Sequence, residues 1–228
     1  MSVRMIRNAP ARALAGDAVK VVDGPFPPGR LVRVSRAPRL YVMDAFATDD
    51  EIDAVKAVGD ATDELDAVGI AVTRGDAGYS ADLPALDDTL ASLGRRVESL
   101  VGRGDLLDDS LRFRRYAVGE FHRRHTDAVC PVEGLHLVVT ALLCLDEPAA
   151  GGETLFPHAE GGALAVRHRR GRVVVWCNYA ADGTVDRTAV HEGLPVREGT
   201  KATLGKFLHR PIADAGVDLD AALDLAAA

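Results

Sequence analysis

The decamer FHRRHTDAVC, Phe121–Cys130, places two of the chain's seven histidines three residues apart and an aspartate two residues after the second. Side chains of an extended strand alternate faces, so His125 and Asp127 point the same way and His122 points the other. One imidazole and one carboxylate on a common face make two thirds of a metal site. The fold therefore turns on whether the surrounding chain is strand, and whether another strand brings a third ligand.

The surroundings are strand-like. SLRFRRYAV, FHRRHTD, LHLVVTALLCL, ALAVRH, GRVVVWCNY, TAVHEGLPV and KATLGKFLH follow one another after residue 109 as short runs rich in Val, Leu, Thr and aromatics. Gly, Pro or Asp clusters separate them. Seven such runs in about 100 residues predict an antiparallel sandwich or barrel of the jelly-roll kind.

Upstream the pattern differs. Residues 1–38 read as irregular, with prolines in GPFPPGR interrupting any long element. RLYVMDAF (39–46) reads as a short strand. Thr48 and Glu51 then have the spacing of a capping box, followed by Ile52, Val55 and Val58 at helical intervals. A second helix is expected with Asp82 as its cap and Pro84 in its first turn. Leu86, Leu90, Leu93, Val97 and Leu100 form its apolar stripe, and Gly102 stands at its end. The expected fold class is mainly β with flanking helices, a double-stranded β-helix core. One structural domain is expected, divided into an N-terminal part (1–110), a catalytic jelly-roll core (111–211) and a C-terminal tail (212–228).

Composition narrows the function. Of 228 residues, 47% are apolar, enough for a sizeable core, and the net charge of −7 argues against nucleic acid as a partner. Three cysteines (Cys130, Cys144, Cys177) without CxxC spacing argue against a disulfide framework and fit a reducing cytoplasm. The N-terminus lacks the apolar stretch of a signal peptide, and no run reaches the length of a membrane span. Oligomeric state is not legible.

His191, in TAVHEGLPV, lies 66 residues after His125, far enough to come from another strand. Two histidines and a carboxylate on one side of a metal leave positions open opposite. That facial arrangement suits non-haem Fe(II) enzymes that activate O2. A structural zinc site would instead close all four positions, usually with cysteines, and none is spaced for it.

The order His125-x-Asp127, His191 and, ten residues on, Lys201 resembles the iron/2-oxoglutarate-dependent dioxygenases, and within them the prolyl 4-hydroxylase branch. YAVGEFHRRHTD is similar to that branch's Tyr-x-x-Gly run before the His-x-Asp pair. CLDEPAAGGETLFP is similar to its hairpin ending Gly-Gly-x-Thr-x-Phe-Pro. GRVVVWCN and HEGLPVREGTK resemble the strand before the distal histidine and the run after it. The likeness extends over roughly residues 40 to 210.

The resemblance implies Fe(II) held by His125, Asp127 and His191, with 2-oxoglutarate and O2 as cosubstrates and ascorbate as a candidate reductant. It places Lys201 against the far carboxylate of 2-oxoglutarate, with Tyr116 and Thr140 beside it. It implies hydroxylation of an unactivated C–H bond of a small substrate, such as a free amino acid or related carboxylic acid. A prolyl residue of a protein substrate is the alternative, and a non-catalytic metal-binding sensor is an alternative of another class. Asp127 disfavours a halogenase, in which chloride takes the carboxylate's position. Gly119 allows a break that lets Tyr116 and His125, nine apart, face the same interior. Two positions where the family often carries an aromatic hold His122 and Cys144 here; the first is expected near substrate and the second near the far end of 2-oxoglutarate. Trp176 is expected as a wall of the core or pocket. Arg124, reaching round the barrel rim, is the expected clamp for a substrate carboxylate.

Overall fold

A computed structural model describes residues 3–5, 19–61, 72–75, 78–83, 88–101, 107, 111–128 and 131–215. Two sheets face one another. The larger has eight strands in the order β3 (Val32–Ser35), β4 (Leu40–Met43), β13 (Val173–Cys177), β9 (His136–Asp146), β16 (Lys201–Arg210), β7 (Leu111–Tyr116), β6 (Gly78–Leu83) and β5 (Val72–Gly75). The smaller has six, in the order β1 (Val3–Met5), β2 (Lys20–Val22), β12 (Leu164–Val166), β11 (Thr154–Phe156), β14 (His191–Gly193) and β8 (His122–His125). A two-stranded ribbon, β10 (Ala150–Gly151) with β15 (Val196–Glu198), closes one corner. Neighbours are antiparallel except β2 and β12. The architecture is the expected double-stranded β-helix.

Alternation along β16 shows how one strand serves two compartments. Ala202, Leu204 and Leu208 face a core shared with the helices α1 (Asp49–Ala61) and α2 (Asp88–Leu100). Lys201, Thr203 and Phe207 face the other way, into a recess between the sheets. Leu40, Val42, Val174 and Trp176 of the large sheet meet Phe156, Leu164 and Val166 of the small one to form the inner core.

The capping box forms as expected: Thr48 N–H donates to Glu51 Oε2 at 2.9 Å and Glu51 N–H to Thr48 Oγ1 at 3.3 Å. Ile52 and Val55 of α1, and Leu90, Leu93 and Val97 of α2, are buried.

Two expectations are corrected. Asp82 caps no helix, because it lies in β6 opposite Arg112, whose Nε donates to Asp82 Oδ1 at 2.6 Å. Tyr79, Ala81 and Leu83 are buried while Ser80 and Asp82 are half-buried, the period-two burial of a strand. Pro84, Leu86 and Gly102 lie outside the described residues. Likewise, residues 19–38 carry β2 and β3 rather than irregular chain. β2 joins β12, and the following segment is tied down by Arg172. That wholly buried guanidinium donates to Asp44 Oδ1 and to the Gly24 carbonyl, both at 2.6 Å, and lies 5.0 Å from the Phe26 ring. The partners that order this stretch are remote in sequence, which its own prolines do not reveal.

Candidate active site

β14 lies beside β8 with His191 directly opposite His125. The next pairing is Gly193 with His122, so three steps on β8 match two on β14, a β-bulge in β8. The extra residue resets the alternation. His122 therefore does not turn away, as simple parity predicts, but lines the same recess as His125, their ring centroids 4.4 Å apart. Gly193 permits this approach, since a Cβ there would stand 3.3 Å from His122 Cβ.

His125, Asp127 and His191 each present a ligand atom, all within 4.8 Å of one another. His125 Nδ1 faces the Arg123 carbonyl at 2.7 Å, and His191 Nδ1 faces the Ala189 carbonyl at 3.0 Å. A carbonyl only accepts, so each Nδ1 carries a proton and each Nε2 is the atom turned inward, the one that would ligate a metal once it has given up any proton of its own. Asp127 Oδ1 lies 3.2 Å from His125 Nε2, and Oδ2 lies 3.7 Å from His191 Nε2. Burial alone would raise the Asp127 carboxyl. The His125 hydrogen bond, the two imidazoles and the Thr140 hydroxyl outweigh it and hold the group at about 2. Asp127 is thus a carboxylate at neutral pH. Two imidazole nitrogens and one carboxylate, fixed from behind and converging, fit a facial Fe(II) site.

Thr140, expected beside the cosubstrate's far end, donates its hydroxyl proton to Asp127 Oδ2 at 2.7 Å. It accepts in turn from Asn178 Nδ2 at 3.0 Å. Asn178 is a positioning residue that sequence reasoning missed; it closes the GRVVVWCN run.

Lys201 begins β16 opposite Tyr116, and both line the recess. Lys201 is 4% exposed, yet no carboxylate among the described residues lies within ion-pair distance of it. Its Nζ donates to the Gly152 carbonyl at 2.7 Å and stands 5.3 Å from the Tyr116 ring centroid. Burial pushes its ammonium down to about 8. A buried cation met by a carbonyl and a ring face, with no carboxylate among the described residues, is poised for an anion. Gly152 makes room: at φ 74° it adopts a left-handed turn, and a Cβ would come within 3.2 Å of Lys201 Cδ.

Trp176 lines the recess 4.8 Å from the His191 ring, and its buried Nε1–H has no partner among the described residues. Cys144 is wholly buried, its Sγ donating to the Asp146 carbonyl at 3.3 Å, and is not among the residues lining the recess. Arg124 is not at the site either: it is exposed and paired with Glu192 on β14 at 2.7 Å. The arginine that does line the recess is Arg114, two residues before Tyr116 on the same face of β7. Parity with Tyr116 was the signal that could have found it.

Residues 111–209 match the 2OG-Fe(II) oxygenase superfamily. Prolyl 4-hydroxylase 2 of Arabidopsis thaliana is 26% identical over 213 residues, covering 80% of this chain and 71% of the relative. A viral collagen prolyl hydroxylase from Paramecium bursaria Chlorella virus-1 shares the fold with a TM-score of 0.61 at 17% identity, over 77% of this chain and 98% of that one. A Pseudomonas putida prolyl-4-hydroxylase does so with a TM-score of 0.54 at 22% identity, over 77% and 95%. No helix among the described residues is long and apolar enough to cross a membrane.

Proposed function

We propose that this chain, which belongs to the 2OG-Fe(II) oxygenase superfamily and to its prolyl 4-hydroxylase-like branch, hydroxylates a C–H bond of a small carboxylic acid such as a free amino acid. Its cofactors are those of the superfamily: Fe(II), with 2-oxoglutarate and O2 as cosubstrates. His125, Asp127 and His191 hold Fe(II), and Lys201 with Tyr116 receives the far carboxylate of 2-oxoglutarate. When bound, these groups supply O2 activation, converting 2-oxoglutarate to succinate and CO2 as the substrate gains a hydroxyl.

The chain's own residues prepare that chemistry. The Arg123 and Ala189 carbonyls fix which nitrogen of each histidine faces inward. Asn178 and Thr140 hold Asp127 in one orientation. The inner core of Trp176, Phe156 and Leu142 limits water around the reacting centre. One observation carries the reading: a converging His, Asp and His set shares a recess with a buried lysine that has no carboxylate partner among the described residues. A non-catalytic ligand sensor would have no need of both.

A second reading, a prolyl residue within a peptide, is supported by the names of the relatives. The test of the reaction class is succinate formation by the purified chain with Fe(II), 2-oxoglutarate and O2. Iron-dependent succinate release that is lost in Asp127→Ala is expected. Release independent of iron, or surviving in Asp127→Ala, would contradict the assignment.

A further inference from the structure

β7 carries three arginines with different fates. Arg112 pairs with Asp82 at 2.6 Å, and Arg115 pairs with Asp60. Arg114 lies between them in sequence, faces inward opposite Thr203 and lines the recess. No carboxylate among the described residues pairs with it; its guanidinium lies at the Tyr116 hydroxyl. It shares that recess with His122, His125 and His191 at the metal-binding end and with Lys201 at the other.

The recess therefore holds one cation more than its cosubstrate requires. Fe(II), Lys201 and Arg114 stand against the single carboxylate of Asp127, the one acidic side chain among the lining residues. A dianionic 2-oxoglutarate leaves one formal positive charge uncompensated, carried at the recess by the half-buried Arg114, where a further anion can pair with it. His122 adds a second handle in the same recess, since its buried Nδ1 has no partner among the described residues.

We propose that Arg114 anchors the carboxylate of the substrate itself, so that the chain selects a small free acid over an internal residue of a peptide. The inference rests on the oxygenase reading above. The role expected of Arg124 passes to Arg114, because Arg124 is already neutralised by Glu192 outside the recess. A planar fork that grips both carboxylate oxygens fixes position and orientation together, which decides the carbon presented for hydroxylation. The neutral rim of a peptide bond offers no charge for Arg114 to meet.

The experiment measures substrate-stimulated succinate release by the full chain with Fe(II) and 2-oxoglutarate. The probes are the free proteinogenic amino acids, the carboxamide of each acid that responds, and a proline-centred tripeptide blocked at both ends. At least one free acid is expected to stimulate release, with kcat/KM about tenfold or more above its carboxamide and above the blocked tripeptide. Arg114→Gln is expected to erase that acid-over-amide preference by raising the KM for the acid, and Arg114→Lys to restore part of it. Thermal unfolding of both variants guards against misfolding. A preference for the blocked tripeptide, or an acid-over-amide ratio unchanged in Arg114→Gln, would overturn the proposal. So would a variant in which the KM for 2-oxoglutarate rises as much as that for the acid, which would assign Arg114 to the cosubstrate. Uncoupled succinate release with no response to any free acid would sink this inference and the small-acid substrate while leaving the 2-oxoglutarate oxygenase assignment standing; no succinate under any condition would sink that assignment as well.

Discussion

The two faces of the eight-stranded sheet are built by the same strands and obey opposite rules. On the helix side nearly every contact is apolar: Phe113 is fully buried against α1 and Tyr79, and Leu204 and Leu143 sit with it. The charged group buried there, Lys206, faces Glu98 of α2 at 3.4 Å. On the inner side, Lys201 has no carboxylate and Trp176 Nε1 and His122 Nδ1 have no hydrogen-bond partner among the described residues, while Asp127 gathers two imidazoles and a hydroxyl. One face is satisfied by the fold itself. The other is left wanting ligands, and that residual demand is the mark of a site.

The sharpest way to break the contrast is at the triad. Asp127→Ala should abolish turnover and weaken Fe(II) binding by more than about 100-fold, because two neutral imidazoles remain where an anionic ligand stood. Iron titration with a chelator competition reads the second effect. On the helix face the largest effect should be on stability rather than chemistry. Phe113→Ala should cost about 3–5 kcal/mol in denaturant unfolding, since it opens a cavity under α1. The KM for 2-oxoglutarate of the folded protein should stay near wild type. A variant that lost cosubstrate affinity instead would show that the two faces are not independent.

The legibility of the sequence follows the same division. The alternating apolar runs after residue 109 and the capping box at Thr48 report directly on the helix-side core and the jelly roll, because burial imposes a period. His125, Asp127 and His191 were legible as a converging set from spacing and order. What was not legible depended on register. The bulge in β8 that turns His122 inward is set by pairing with β14, about 70 residues away, and no local pattern announces it. Arg114 and Arg124 look alike as arginines on strands; Glu192, on the neighbouring strand, neutralises one and leaves the other to the recess. Thr140 lines the recess, but the bond its hydroxyl donates to Asp127, which lies on a loop, was not legible.

Lys201→Ala should raise the KM for 2-oxoglutarate roughly 10- to 150-fold, the worth of about 1.5–3 kcal/mol for a charge-assisted hydrogen bond. The pH dependence carries the same signature. A lysine at about 8 in the fold and 10.5 as its ordinary value means that the unfolded chain binds more protons between those limits. The cost of burying the ammonium is fully present below about pH 8, and stability rises as pH climbs from there towards 10.5. Cosubstrate binding moves oppositely: above about pH 8 the neutral amine loses its hold, and the KM for 2-oxoglutarate should climb by at most about tenfold per pH unit. Lys201→Arg should flatten that climb, because guanidinium stays charged throughout the range. The smallest effect belongs to the helix side. Thr48→Ala removes one half of the capping box and should lower stability by about 1 kcal/mol with kcat unchanged.

On the proposed function, the inner face binds metal at one end and a carboxylate at the other, through separate residues. Calorimetric titration of 2-oxoglutarate into the Fe(II)-loaded chain without O2 tests it most directly, in wild type and in Lys201→Met. Metal-dependent binding is expected in wild type, and in Lys201→Met an Fe(II) affinity within about twofold of wild type with 2-oxoglutarate affinity reduced tenfold or more. Equal 2-oxoglutarate affinity in the two proteins, or binding that ignores the metal, would contradict it.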